Sequence, residues 1–203
     1  MPTVAIRPHA CEPHLPNLED DVGILARLRR DRRNREIVDR LWDQVVAAAR
    51  DPARFVQGGL PDTVEGRFES LSLEMIVLLR RCAGEPRLKD LSQDLVDRFM
   101  TDLDHSMREI GISYLAVPKR MRRFAARFYT RVRDCEPPLA ARNADALADA
   151  LARTVLTEAV GGRPDAAPAL AHHMMTQQAR YDALATDDVL AGRLLEPPTT
   201  EVA

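Results

Sequence analysis

The sequence predicts an all-α fold, a single-domain helical bundle of about six to seven helices. Stretches with apolar residues on a 3.6-residue period recur along the chain, and no run alternates as a β-strand would. Hydrophobic residues make up 45% of the 203 and aromatics only 4%, with Ala and Leu dominant, a mix suited to helices packed through small and aliphatic side chains. Gly and Pro interrupt the periodic stretches at short intervals, so consecutive helices are expected to pack as neighbours.

Residues 1–21 hold four prolines, two histidines and no apolar period, and are expected to be a disordered extension. A basic amphipathic lead-in over 22–35 follows, with Val22, Ile24, Leu25 and Leu28 beside six arginines from Arg27 to Arg35. A helix is expected over Asn34–Arg50, its stripe formed by Ile37, Val38, Leu41, Trp42, Val45 and Ala49, with Asp51-Pro52 stopping it. Gly58-Gly59 breaks the chain, and Asp62 or Thr63 can cap the next helix, Thr63–Cys82. That helix is apolar nearly all round, so it is either central in the fold or shared with a partner.

Asp90–Ile110 reads as the next helix, with Leu91, Leu95, Phe99, Leu103, Met107 and Ile110 inward and Gly111 placed to end it. From Pro118 a helix begins whose apolar stripe is Met121, Phe124, Ala125, Phe128 and Val132. Lys119, Arg120, Arg122, Arg123, Arg127, Arg131 and Arg133 occupy the rest of its circumference, and no acid falls among them. Pro137-Pro138 is expected to stop it. An Ala-rich helix over Leu139–Val160, one over Ala166–Leu184 and a short one near Asp187–Leu195 complete the domain, 36–195, and residues 196–203 form a flexible tail.

Charge and cysteine usage narrow the function classes. The net charge of −2 conceals segregation, so local runs matter more than the sum. Cys11, Cys82 and Cys135 are odd in number and far apart, the pattern of thiols in a reducing compartment. No run of about twenty apolar residues exists to span a membrane, and Glu19-Asp20-Asp21 argues against an acid-poor transit peptide. A cytoplasmic protein is expected, peripheral on the inner face of a membrane if its basic segments dock there.

Catalysis finds no residues to rest on. There is no Gly-rich phosphate loop, no GxSxG and no Cys–His couple. His172 and His173 are adjacent and point about 100° apart on a helix, unlike an i, i+4 metal pair. Asp102 and Asp104 likewise diverge, and Asp104 is better read as an i, i+4 ion pair with Arg108. No cofactor and no metal are expected.

Three blocks carry a family resemblance. Leu60-Pro61-Asp62-Thr63-Val64-Glu65-Gly66-Arg67-Phe68-Glu69 resembles the "PDTxDGRF" signature of the ubiquinol–cytochrome c chaperone family. Asp102-Leu103-Asp104-His105-Ser106-Met107-Arg108-Glu109-Ile110-Gly111 is similar to its "DMDxxLREMG", and Val117–Phe124 with Phe128–Arg131 to its "VxKRVKxMxxxFYGR". With the Trp42–Phe55 segment and the Leu147–Leu151 helix, the resemblance covers about Ile37–Leu156 in order. Ser113-Tyr114 stands where the family has Gly-Asp, Thr130 replaces a glycine, Thr154 stands where asparagine is common, and the C-terminal Leu-Ala-Gly-Arg run lacks its Phe-Pro.

What the resemblance implies is a non-catalytic assembly factor, looking like a bacterial member. Its client would be newly made cytochrome b, or an early intermediate of the ubiquinol–cytochrome c oxidoreductase, handled with a small partner protein and near the ribosome. Pro61, Asp62, Gly66, Arg67, Phe68, Asp104, Arg108, Glu109 and Gly111 are the motif residues. Gly66 would permit close backbone approach, and Arg67 could pair with a carboxylate such as Glu109. Lys119, Arg120, Arg122, Arg123, Arg127, Arg131 and Tyr129 are the candidate partner-binding residues. Two readings of the cationic face stay open: pairing with the aspartates of Asp90–Ile110 inside the fold, or a platform for rRNA phosphate, anionic lipid or an acidic tail. The first rival to a chaperone is an RNA-, ribosome- or anionic-membrane-binding helical module without a client; the second is an enzyme or haem carrier, since the clients that the resemblance implies contain haem.

Overall fold

The structure, a computed structural model, describes residues 18–109, 111, 114, 116–158 and 161–194, with only the helical backbone of 18–33. The expected flexible tail 196–203, residues 1–17 of the expected extension and Ile110, expected to face inward at the end of its helix, lie outside the described residues. Eight α-helices and no strand occur among those described: α1 (Leu18–Ala49), α2 (Pro52–Val56), α3 (Val64–Ala83), α4 (Lys89–Glu109), α5 (Val117–Ala140), α6 (Ala144–Thr154), α7 (Ala167–Asp182) and α8 (Thr186–Leu190). The fold is all-α. Compactness divides the chain into two units, Met1–Asn34 and Arg35–Ala203. In the first, residues 18–34 are helical.

The second unit is a bundle built round α3, which packs against α4, α5 and α7, while α6 joins α5 to α7. The apolar circumference of α3 therefore makes it central: Leu73, Met75, Ile76, Val77 and Leu78 are all buried. Scarce aromatics are concentrated where α1, α3, α4 and α5 meet. Trp42 lies 6.0 Å from Phe99, Phe99 lies 6.1 Å from Phe68 and 5.0 Å from Phe128, and Phe68 lies 4.5 Å from Phe124. The segment after α8 is tied back to α1, where the Gln44 side-chain amide donates to the Gly192 carbonyl at 2.9 Å and accepts from the Leu194 amide at 2.8 Å.

Several boundaries differ from the sequence reading. The lead-in and the Asn34–Arg50 helix are one element, α1, because no Gly or Pro separates 24 from 49. Asp51-Pro52 stops α1 but also starts α2: the Asp51 carboxylate accepts from the Ala53 amide at 2.9 Å and Pro52 takes the first turn. Pro137-Pro138 does not stop α5, which continues to Ala140. The two missing amides fall in the last turn, little helix is left to break, and Pro138 and Leu139 are buried beside it. The chain turns at Arg142, with φ of 50°, and Asn143 caps α6 by accepting from the Ala146 amide at 3.0 Å. The Ala-rich helix is accordingly shorter than expected.

Phe99 is fully buried and touches three other rings. Phe99→Ala should cost about 3–5 kcal/mol of stability, read as a lower urea midpoint.

Candidate functional site: an apolar groove beside a cationic helix

The motif Pro61–Phe68 builds the entrance to α3. Thr63, not Asp62, is the cap: its hydroxyl accepts from the Gly66 amide at 3.1 Å. This frees Asp62 to accept from the Arg67 guanidinium at 2.7 Å, an exposed pair, so Arg67 does not reach for Glu109. The hydrogen bond from Arg67 holds the Asp62 carboxyl below its ordinary range. At Gly66 a Cβ would stand 1.9 Å from the Pro61 carbonyl oxygen, so only glycine lets the incoming chain lie on the first turn of α3.

The second motif closes α4. Asp104 accepts from Arg108 at 2.6 Å, one turn apart as expected, and the Arg108 guanidinium lies 5.1 Å from the centre of the Tyr114 ring. Gly111, with φ of 81°, occupies the left-handed region that allows the chain to leave the helix.

Between these motifs lies an open groove of about 740 Å³. The end of α1, α2, the first turns of α3, the last turns of α4 and Phe124 of α5 line it. Its surface is mainly apolar, through Val46, Phe55, Phe68, Leu71, Leu103 and Met107, and Val56 and Val64 stand exposed in its lining. Four motif residues face it: Asp62, Arg67, Phe68 and Glu109. An exposed apolar concavity of this kind is the usual form of a site for an apolar ligand or peptide.

The cations of α5 divide into two sets. Lys119, Arg120, Arg122 and Arg123 are exposed, and Tyr129 is exposed beside the Phe128 ring at 5.6 Å. Arg131 is buried, and its Nε and Nη2 both donate to the Glu69 carboxylate at 3.0 Å. Arg127 joins them on Glu69 and lies over the Phe68 and Phe124 rings at 5.3 and 5.8 Å. The expectation of one cationic face running the length of the helix is therefore corrected: Arg127 and Arg131 turn inward because Glu69, fully buried on α3, needs a counter-charge. Arg133 pairs with the adjacent Asp134 at 2.9 Å.

A second buried carboxylate, Glu74, escaped the sequence reading altogether. It accepts from Arg54 of α2, from the Tyr181 hydroxyl and from the Gln177 amide at 3.0 Å. Arg54 also donates to the Ser70 carbonyl at 3.0 Å and to His173 Nε2 at 3.1 Å. This cluster pins α2, one wall of the groove, to α3 and α7. The available signal was physical: a helix apolar all round has no wet face for Glu69 or Glu74.

Burial pushes the Cys82 thiol up to about 11 and that of Cys135 up to about 12, so both stay protonated at neutral pH. Among the described residues no group of three or more His, Cys, Asp or Glu is placed to hold a metal ion, and no helix is long and apolar enough to cross a membrane.

Fold and groove together define an all-α protein organised for binding. The ubiquinol–cytochrome C chaperone family model matches residues 56–196, and the chain belongs to that family. It is similar to a solved structure described as the Cbp3 homolog from Brucella abortus, with 37% identity over 86% of this chain and 96% of that one, and a TM-score of 0.72. Comparison with curated proteins gave no match.

Two stability measurements check the polar interior. Removing both counter-charges of Glu69, Arg127→Met with Arg131→Met, should cost about 3–5 kcal/mol by stranding the buried carboxylate, whereas Arg122→Met, a loss of charge on the exposed side, should stay within about 0.5 kcal/mol. His173 is held below its ordinary pKa of 6.5 by burial and then by Arg54, so the unfolded chain binds its proton more readily. Its contribution is complete above pH 6.5 and is lost as pH falls below that value, at up to about 1.4 kcal/mol per pH unit. Urea midpoints between pH 7.5 and 5.5 should fall for the wild type and flatten in His173→Gln.

Proposed function

We propose that the chain is a non-catalytic assembly chaperone that binds newly made cytochrome b, or an early intermediate of the ubiquinol–cytochrome c oxidoreductase, and releases it unchanged. Family membership supports the class of role. The observation that carries the reading is the open apolar groove whose lining includes Asp62, Arg67, Phe68 and Glu109 of the family motifs. A membrane protein outside its bilayer exposes apolar helix surface, and covering part of that surface removes its drive to aggregate. Stoichiometric holding of that kind requires neither turnover nor a cofactor.

The exposed cations Lys119, Arg120, Arg122 and Arg123, with Tyr129 along the same helix, have a separate role in this reading. They would rest the protein on a phosphate-rich platform, a ribosome or the inner face of an anionic membrane, where the client emerges. A small partner protein, suggested by the family resemblance, would join the same assembly. The second reading, an RNA- or membrane-binding module without a client, draws on these four cations alone.

Affinity capture from membranes solubilised in mild detergent separates the two. Wild-type protein should recover cytochrome b well above an unrelated helical bait, and Val64→Asp, which places a charge in the groove lining at a position that suits a helix N-terminus, should recover several-fold less. Steep salt-dependent binding to naked RNA, with no cytochrome b recovered, would establish the second reading and remove the first.

A further inference from the structure

The groove carries an electrostatic signature that its apolar lining does not account for. Along α4, Asp102, Ser106 and Glu109 follow one another at i, i+4 and i+7 and all line it. On a 3.6-residue helix they form one file, with the two carboxylates two turns, about 10 Å, apart. Neither carboxylate takes part in an ion pair among the described residues. Their neighbours differ in this respect, since Asp104 is held by Arg108 and Asp62 by Arg67. Arg50 is the one other charged residue in the lining. With Asp62 and Arg67 cancelling and Arg50 set against the two carboxylates of the file, the lining carries one net negative charge, and it lies on α4.

We infer that the groove accepts the positively charged end of an apolar helix, a segment with Lys or Arg two turns apart on the face turned to Asp102 and Glu109. An anionic amphiphile would bring its head group against those carboxylates. A wholly apolar helix would dehydrate them without offering a counter-charge, at a cost. A basic, apolar helix satisfies the lining and the file together. Membrane-spanning helices have this chemistry at one end, because Lys and Arg concentrate at the cytoplasmic flank of an apolar run. A groove of about 740 Å³ is the size of a ligand cleft, so it receives one end of a span of about 20 residues and leaves the remainder outside. This inference deepens the proposed function and rests on the client being a membrane protein.

The test uses the full chain and two fluorescent model peptides, Leu/Ala-rich helices of about 14 residues. One carries Lys at two positions seven apart and the other Glu at the same positions. Fluorescence anisotropy should show the Lys peptide binding about tenfold more tightly, with the advantage shrinking as salt is raised. The double variant Asp102→Lys/Glu109→Lys should reverse the preference, and Asp102→Asn/Glu109→Gln should abolish it, both with wild-type circular dichroism. Equal affinity for the two peptides, no binding of either, or a preference unchanged in the variants would overturn the inference. Cytochrome b recovery in the capture experiment keeps the two proposals apart. Recovery by wild type and lysine variant alike sinks the charge-reading groove and leaves the chaperone standing, whereas no recovery sinks the chaperone whatever the peptides do.

Discussion

Two carboxylates that cannot reach water organise this bundle. α3 is packed against three other helices, so Glu69 and Glu74 have no exposed side to turn to. An ionised carboxylate left alone in such a place would cost several kcal/mol, and each is met by arginine. Glu69 draws Arg127 and Arg131 from α5, and Glu74 draws Arg54 from α2 together with Tyr181 and Gln177 from α7. Apolar burial alone would tolerate a range of helix rotations. These pairings tolerate far fewer, since a guanidinium donating through two nitrogens has one plane and one direction.

The rotation of α5 follows from that constraint. With Arg131 and Arg127 aimed at Glu69, Phe124 and Phe128 face the aromatic cluster and Lys119, Arg120, Arg122 and Arg123 face outward. A helix with seven basic residues in its first seventeen is thereby sorted into a structural set and an exposed set, though its composition gives no hint of the division. The position of α2 is settled in the same way. Only five residues long, it has too little apolar surface to hold itself in place, and buried Arg54 anchors it where Phe55 and Val56 become groove lining.

How legible this was depended on whether a feature is periodic. Helix existence came from the 3.6-residue stripe and emerged clearly for α3, α4 and α5, because one face of each is buried along its length. Boundaries were less legible where two signals competed. Pro137-Pro138 reads as a stop, but position within the last turn and burial of Pro138 decide the outcome. Thr63 and Asp62 were equal candidates to cap α3, and only the approach of Pro61 to Gly66 and the reach of Arg67 allot their tasks. The groove was not legible at all, since its lining comes from five helices and no local pattern records which turns will meet. The buried carboxylates lay between these extremes. An all-apolar circumference containing Glu69 and Glu74 is itself a contradiction that demands internal cations, although which arginines answer it is a tertiary matter.

On the proposed function, the two surfaces share one element, α5. α5 gives Phe124 to the groove and, one and two residues earlier, Arg123 and Arg122 to its exposed side. A client end seated in the groove would therefore lie within the width of a helix from whatever phosphate-rich surface those arginines touch. No hinge is needed to hand the segment from platform to groove, because the separation is built in by the 100° step between adjacent residues. Opposite charge on the two surfaces also gives direction. The exposed cations favour an anionic platform, the carboxylates of α4 favour the basic flank of an emerging helix, and each surface repels the partner of the other. Specificity for a nascent membrane protein at its site of insertion would then come from the arrangement of charge on two neighbouring helices, α4 and α5, with the apolar groove supplying affinity.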